Sequence, residues 1–333
     1  MKPLDPPCYV AGMRVLVTGG AGFIGSHLAE RLAGAGHEVV VYDVFSKLYP
    51  QSVKRRNVAS ALALPGCSLI EGDLLDDQRL DSVFSPRPFD VVAHLAAWPG
   101  AHASLSNPRL FARNNVAATM QLLEQCRQHR TPRFVFASSA AVYGLRREGP
   151  LKETDPADRA ISPYGATKRA AEMLCHPYHH LHGLSVACLR LFSVFGPRQR
   201  PDQSLREFAR ALASGEPVRL RGDGASVRDL VYVDDAVDAL ARAVERDAGG
   251  FETFNVGSGA GIPVADLARR LAEAMGVECR IEVGGAAPAD QPYAVADVAK
   301  AARGLSWSPT VAIDDGLRRF AAWFKAEEFE DEA

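Results

Sequence analysis

Val15-Leu-Val-Thr-Gly19-Gly-Ala-Gly22-Phe-Ile-Gly25 decides how this chain is read. A short aliphatic run makes a buried strand, the glycines make a turn, and Phe23-Ile24 open a helix. The glycines are spaced G-x-x-G-x-x-G. Gly19 permits the tight turn, Gly22 lets the backbone approach a pyrophosphate, and Gly25 lets helix and strand pack closely. The helix N-terminus then favours the anion electrostatically. A glycine triad alone is weak evidence. The strand before it and the helix after it supply the context a dinucleotide site needs.

Working outward, β-branched runs alternate with helical patterns through the first two-thirds of the chain. The expected strands are Arg14–Thr18, 38–42, 68–71, 90–95, 133–137 and Ser185–Leu191. Between them lie helices over Phe23–Gly34, 108–129 and Pro163–His182. Such alternation predicts an α/β fold, a doubly wound parallel sheet of the Rossmann type. After Gly196-Pro197-Arg198 the loops grow richer in Gly, Pro and Arg, which predicts a smaller C-terminal α/β substrate domain. The expected division is a lead-in over 1–12, a nucleotide unit over 13–192 plus 231–257, and a substrate unit over 193–230 plus 258–325. Residues 326–333 read as an acidic, solvated tail.

Asp43 follows the second strand at the distance where a carboxylate accepts from an adenosine ribose and repels a 2'-phosphate, which favours NAD. Asp73, beside Leu74 at the end of the third strand, suits either an adenine amino group or a simple turn. Leu95-Ala96-Ala97 end the fourth strand with small apolar residues suited to lying beside a cofactor, or to plain core.

Composition narrows the classes. The chain has 333 residues, 47% hydrophobic and 23% charged, with a formal net charge of -2. No bulk basic field argues for nucleic acid. No apolar run approaches the roughly 20 residues of a membrane span, and the start lacks the apolar core of a signal peptide. Cys8, Cys67, Cys126, Cys175, Cys188 and Cys279 are scattered without Cys-x-x-Cys. That argues against a zinc site or a disulfide framework and for free thiols in a reducing cytoplasm.

Tyr164-Gly-Ala-Thr-Lys168 places a phenol and an ammonium on one helix face. A nearby cation lowers a phenol's pKa and suits it to proton transfer near neutrality. Ser162-Pro163 supplies the N-cap and first-turn proline of that helix.

Together these pieces resemble the extended short-chain dehydrogenase/reductases of the nucleotide-sugar epimerase/dehydratase family. The resemblance rests on Thr18–Gly25, Gly72-Asp-Leu74, His94-Leu-Ala-Ala97, Ser138-Ser-Ala-Ala-Val-Tyr-Gly144, Tyr164–Lys168, Leu189–Pro197, Arg228–Asp235 and Phe254-Asn-Val-Gly257. It is strongest to the UDP-glucuronate and UDP-glucose 4-epimerases. Asp43–Arg56, His94–Pro108 and Ser193-Val-Phe-Gly-Pro-Arg-Gln-Arg-Pro-Asp202 carry the glucuronate likeness.

The resemblance implies Tyr164 as the acid/base, Lys168 as its charge partner and ribose ligand, and Ser139 as a hydrogen-bond partner of the reacting hydroxyl. It implies a tightly bound NAD held by Gly19, Gly22, Phe23, Ile24, Gly25, Asp43, Asp73, Leu74, Leu95, Ala96 and Ala97 with Tyr164 and Lys168. Ser138, Ser139, Ser193, Arg200, Arg228 and Asp290 are the implied nucleotide-sugar residues. Arg228 would clamp the pyrophosphate. Asn115 is implied as a structural or water-ordering residue, and His94 reads as a satisfied core histidine.

Ala140-Ala141 stand where the family's dehydratases carry Asp-Glu, so elimination is disfavoured, and epimerisation or simple 4-oxidation or reduction remains. Trp98, His102, Ser193 and Ala287 depart from the family pattern and leave the sugar open. A 4-keto-sugar reductase using NADPH, or a non-catalytic sensor, are the rival readings. Asp43 counts against the first, and the presence of Ser139, Tyr164 and Lys168 against the second. Relatives dimerise through a four-helix bundle, here expected near 107–129 and Pro163–His182.

Overall fold

The computed structural model describes residues 12–246, 249–285 and 288–331. Six strands open the chain: β1 (Arg14–Thr18), β2 (Glu38–Asp43), β3 (Cys67–Glu71), β4 (Val91–His94), β5 (Arg133–Ser139) and β6 (Ser185–Leu191). Then come β7 (Ser193–Phe195), β8 (Val218–Arg221) and β9 (Val227–Tyr232). β10 (Phe251–Val256) returns to the first sheet, and β11 (Gly261–Pro263), β12 (Ile281–Gly284) and β13 (Tyr293–Ala294) follow.

The main sheet has seven strands in the order β10-β6-β5-β4-β1-β2-β3, all parallel. The chain winds outward from β1 in both directions, so the strand order reverses between β1 and β4. A crevice forms at the carboxyl ends of strands there, which is where ligands bind such sheets. Alternate β1 residues enter two separate cores. Val15 and Val17 meet Leu28 and Leu32 of α1 (Phe23–Gly34), whereas Leu16 packs in a cluster with Val40 and Phe134. Both faces are covered, so the strands read as unbroken apolar runs.

The expected strands are found with small shifts. β5 runs two residues further than expected because Ser138 and Ser139 pair with Arg190 and Leu191 of β6. β4 is shorter at both ends, although the flanking N–H groups of Asp90 and Leu95 still donate to the Arg14 and Thr18 carbonyls of β1 at 2.9 and 3.1 Å.

Helices α2 (Gln51–Leu62) and α3 (Asp77–Phe84) flank β3, and α4 (Ala101–Ser106) follows β4. The helix expected over 108–129 is divided. α5 (Pro108–Phe111) and α6 (Ala118–Gln128) are joined by a wide π-type turn over Ala112–Ala117. Such turns are common at functional sites, and this one carries Asn115. α7 (Pro163–His182) has the boundaries read from the sequence, with Ser162 Oγ accepting from the Gly165 N–H at 3.1 Å.

Beyond β7 lie α8 (Ser204–Ala213), α9 (Val233–Glu245), α10 (Val264–Met275), α11 (Ala299–Gly304) and α12 (Ile313–Asp331). Strands β7, β9, β11 and β13 form a second sheet, and β8 with β12 a third. Asp229 of β9 is fully buried, and its carboxylate accepts from the N–H groups of Ser258, Gly259 and Ala296. Among the described residues, no helix is long and apolar enough to cross a membrane.

One expectation is corrected. The acidic end is no free tail through Asp331, because α12 continues to that residue. Glu327 lies four residues beyond Trp323, on the same helix face. It pairs with Arg206 at 2.8 Å and Arg56 at 3.4 Å, and the Arg206 guanidinium lies 5.1 Å from the Trp323 ring centre. The tail reading took charge as a sign of solvation and missed the arginines that reach it. Glu327→Ala is expected to lower the melting temperature by at least about 2 °C, since removing one partner strands a largely buried guanidinium. Differential scanning calorimetry checks this, and an unchanged Tm would restore the tail.

Candidate active site

The turn after β1 is built by close contact. Gly19 has φ +69°, and a Cβ there would sit 2.7 Å from the Ala96 backbone. A Cβ on Gly25 would lie 2.2 Å from the Gly19 carbonyl oxygen. Only glycine lets β1, α1 and the end of β4 meet so closely. α1 has no side-chain cap, so its first N–H groups are left for a ligand.

This turn opens into a cavity of about 920 Å³. That is at the upper end for a single-ligand pocket and suits two ligands lying end to end. Every residue expected in the site lines it: Gly19, Gly22, Phe23, Ile24, Gly25, Asp43, Asp73, Leu74, Leu95, Ala96 and Ala97 at one end, Ser138, Ser139, Tyr164 and Lys168 at the centre, and Ser193, Arg200, Arg228 and Asp290 at the other.

The residues at the first end fit a dinucleotide. Asp43 is buried, and its carboxylate accepts from the Ala21 N–H at 3.2 Å, the Phe45 N–H at 2.8 Å and Lys54 Nζ at 3.1 Å. A carboxylate has about four acceptor sites, so one remains for a ribose hydroxyl. Lys54 has no role in the sequence reading, where it stands only within the Asp43–Arg56 likeness. Asp73 makes a turn, its Oδ1 accepting from the Leu75 N–H at 3.0 Å. His94 is the satisfied core histidine that was expected. Its ring lies 2.7 Å from Thr18 Oγ1 and 3.0 Å from Thr119 Oγ1, and burial, aided by the Lys168 charge, lowers its pKa to about 3.

At the centre, Ser139 closes β5, its Oγ accepting from the Ala141 N–H at 3.2 Å, and its hydroxyl acts to lower the Tyr164 pKa. Tyr164 is held by its backbone, which donates to Ser104 Oγ at 3.0 Å, and its ring meets Phe111 edge-on. Lys168 Nζ donates to the Ala137 carbonyl at 2.8 Å and lies 4.9 Å from the Phe136 ring centre. Burial lowers the Lys168 pKa to about 8, against the opposing pull of Glu172. The phenol departs from expectation. Burial raises the Tyr164 pKa; the Ser139 hydrogen bond and the Arg200 charge oppose this, and Lys168 adds nothing resolvable. Helical spacing put both groups on one face, but Lys168 is turned to β5.

Ser138 is a second correction. Its hydroxyl donates to Glu172 at 2.6 Å rather than facing a substrate. Successive strand residues point to opposite faces, so Ser138 and Ser139 cannot both present hydroxyls to the cavity centre. Glu172 was missed in the sequence, although it continues the four-residue spacing of Tyr164 and Lys168.

At the far end, Ser193 stands exposed at the head of β7. Arg200 makes a paired contact with Asp202 at 2.9 and 3.0 Å. Arg228 donates to the Gln291 carbonyl at 2.5 Å and lies 3.7 Å from Asp290, which in turn is 2.7 Å from His102 Nε2. Trp98 also lines this region. Asn115 fixes the Trp98 backbone, accepting from its N–H at 2.7 Å and donating to its carbonyl at 2.9 Å, and it donates to Thr167 as well. Ala287 lies outside the described residues. Ala140 and Ala141 follow Ser139 in a single tight turn, Ala140–Tyr143, and bring no acid to the site.

The sequence profile of the NAD dependent epimerase/dehydratase family matches residues 15–257. UDP-glucuronate 4-epimerase 3 of Arabidopsis thaliana is 34% identical over 330 residues, covering 94% of this chain and 76% of that protein. The structure of a Bacillus cereus UDP-glucuronic acid 4-epimerase, in complex with UDP-glucuronic acid and NAD, superposes with a TM-score of 0.89 at 33% identity. It covers 95% of this chain and all of the other. A Thermotoga maritima UDP-glucose 4-epimerase with UDP-glucose gives 0.87 at 32% identity, over 95% of this chain and all of that one. With the glycine turn, the serine–tyrosine–lysine centre and these likenesses in agreement along nearly its whole length, the chain belongs to the NAD-dependent epimerase/dehydratase family.

Proposed function

We propose that the protein inverts the C4' configuration of a UDP-linked sugar, UDP-glucuronate before UDP-glucose, by transient oxidation of that carbon. The meeting of Ser139, Tyr164 and Lys168 in the cavity that also holds the dinucleotide turn carries this reading. The relatives named UDP-glucuronate and UDP-glucose 4-epimerases support it. Bound NAD supplies the hydride acceptor and then the donor at C4'.

Tyr164 takes the C4' hydroxyl proton, with the Ser139 hydroxyl steering it. Lys168 supplies the cation that favours the phenolate once the substrate has displaced water. The 4-keto sugar turns about its pyrophosphate link and presents its other face, and Tyr164 gives the proton back. Nothing is consumed, so bound cofactor is retained. Arg228 and Asp290 hold the nucleotide half, and Ser193 and Arg200 face the sugar. Arg200 lines the same cavity as Tyr164 and would exchange its pairing with Asp202, at 2.9 and 3.0 Å, for a carboxylate on the neighbouring sugar carbon. We keep the two-unit division within this proposal, the main sheet serving NAD and the smaller sheets the nucleotide sugar. We also place the chain in the cytoplasm as a homodimer bonded through α6 and α7. Exposed Met120 (48%) and Met173 (61%) on those helices support the dimer. A monomeric mass by light scattering would remove it.

Incubation without added NAD with UDP-glucuronate, UDP-glucose and UDP-N-acetylglucosamine in turn, followed by NMR, is expected to show C4' inversion of the first. Product from none of the three would overturn the proposal. Tyr164→Phe is expected to keep NAD, read by its absorbance, and to lose about 10²- to 10⁴-fold in kcat. Arg200→Leu is expected to reduce kcat/KM for UDP-glucuronate about ten- to a hundredfold more than for UDP-glucose, the worth of a charge-assisted contact; equal losses would free Arg200 of that role. Lys168 is charged below about pH 8 and neutral above. The kcat/KM profile should therefore fall as pH rises through that value.

A further inference from the structure

Glu172 has no part in the mechanism above, yet it is among the least exposed charges in the protein, at 1%. It lies on α7 one turn beyond Lys168, which lies one turn beyond Tyr164. Its carboxylate accepts four hydrogen bonds: from Ser138 Oγ at 2.6 Å, Arg190 Nε at 2.9 Å, Arg190 Nη2 at 2.8 Å and Arg169 Nη1 at 2.9 Å. Arg190, 3% exposed, comes from β6 and lies 4.8 Å from the Tyr143 ring centre. Ser138 is the β5 residue between Ala137, whose carbonyl accepts from Lys168, and Ser139, which meets Tyr164. One carboxylate therefore touches the strand segment that carries Ser139 and anchors Lys168 through the Ala137 carbonyl.

A buried pair kept only for packing gains little over apolar side chains of the same volume. Here the anion is shared between a structural arginine, a serine beside the reacting strand end and the field at Lys168. We propose that Glu172 is a positioning residue of the proton relay. It fixes Ser138, and with it the Ser139 end of β5, and balances the Lys168 charge from one helical turn away. The proposal rests on reading Tyr164 and Lys168 as that relay.

The groups around Lys168 leave Glu172 as its anion. β4 presents neutral His94, β5 presents the Phe136 ring and the Ala137 carbonyl, and α7 presents Tyr164 and Glu172. Arg190 of β6 and Arg169 of α7 are both bonded to Glu172. Burial pulls the lysine toward its neutral form and Glu172 opposes it. Without that charge the ammonium is lost at lower pH.

The test uses NAD-loaded protein labelled with ¹⁵N-lysine, the Lys168 signal being assigned by its loss in Lys168→Met. Glu172→Gln keeps an acceptor for Ser138 and removes the charge. Because it leaves Arg190 unbalanced, the charge-free pair Glu172→Gln with Arg190→Gln is titrated beside it, and Glu172→Asp serves as the conservative rescue. Glu172→Gln is expected to shift the Lys168 midpoint, and the basic limb of kcat/KM, down by about one pH unit, the effect of an opposite charge at this range; the double variant, which also loses the Arg190 cation, is expected to shift them less. Glu172→Asp is expected to restore both. An unchanged midpoint in folded Glu172→Gln overturns the proposal. The titration needs no substrate, so absence of turnover by the wild type counts against the proposed function and leaves this result readable.

Discussion

Three charges buried side by side constrain the centre of this molecule. Lys168, Glu172 and Arg190 are 4%, 1% and 3% exposed, and each alone would cost several kcal/mol to remove from water. They are tolerated because they alternate in sign and because Glu172 also accepts from Ser138 and Arg169 while Lys168 donates to the Ala137 carbonyl. That condition sets where α7 may lie on β5 and β6, since a small slide would strand a charge. The Ser162 cap and the bond from the Tyr164 N–H to Ser104 hold the start of the helix at the same height. The Tyr164 phenol, in the first turn of that helix, is placed by the same constraint.

The other half of the site is governed by space. Gly19 and Gly25 remove the side chains that would hold α1 away from β1 and β4, and the reversal of strand order beside β1 leaves a crevice over that turn. The chain then leaves the main sheet after β6, builds the smaller sheets, and returns through β10. Arg228 and Asp290 reach the crevice from those smaller sheets and their loops, and Asp290 meets His102 of α4. The cavity is therefore walled by segments that range in sequence from Gly19 to Asp290.

The parts that were legible in the sequence are those with local causes. Strand–turn–helix over Val15–Gly25, the N-cap of α7 and the alternation of strands and helices each follow from a few neighbouring residues. The lining residues could be named because the family resemblance tied a role to each motif. What was misread depends on distant partners. The acidic end looked solvated because Arg206 and Arg56 lie far off in the chain. Lys54, given no role of its own within the Asp43–Arg56 likeness, is brought by folding to Asp43. The break in the helix over 108–128 is set by Asn115 bonding Trp98 and Thr167, which no helical period records. Ser138 is a milder case, since strand alternation already forbids both serines from facing one way.

By itself the sequence determined the class of fold and the dinucleotide turn, because glycine spacing, side-chain period and capping act over a turn or two of chain; Ser139, Tyr164 and Lys168 were named through the family resemblance. Only the tertiary structure decided how those residues are tuned. It turned Lys168 toward Ala137 rather than the phenol, left burial to raise Tyr164 with Ser139 and Arg200 opposing, and set Glu172 behind both. The physical reason is that burial and charge act through space, and the groups that impose them come from β4, β5, β6 and the loop after β7, each far from Tyr164 along the chain.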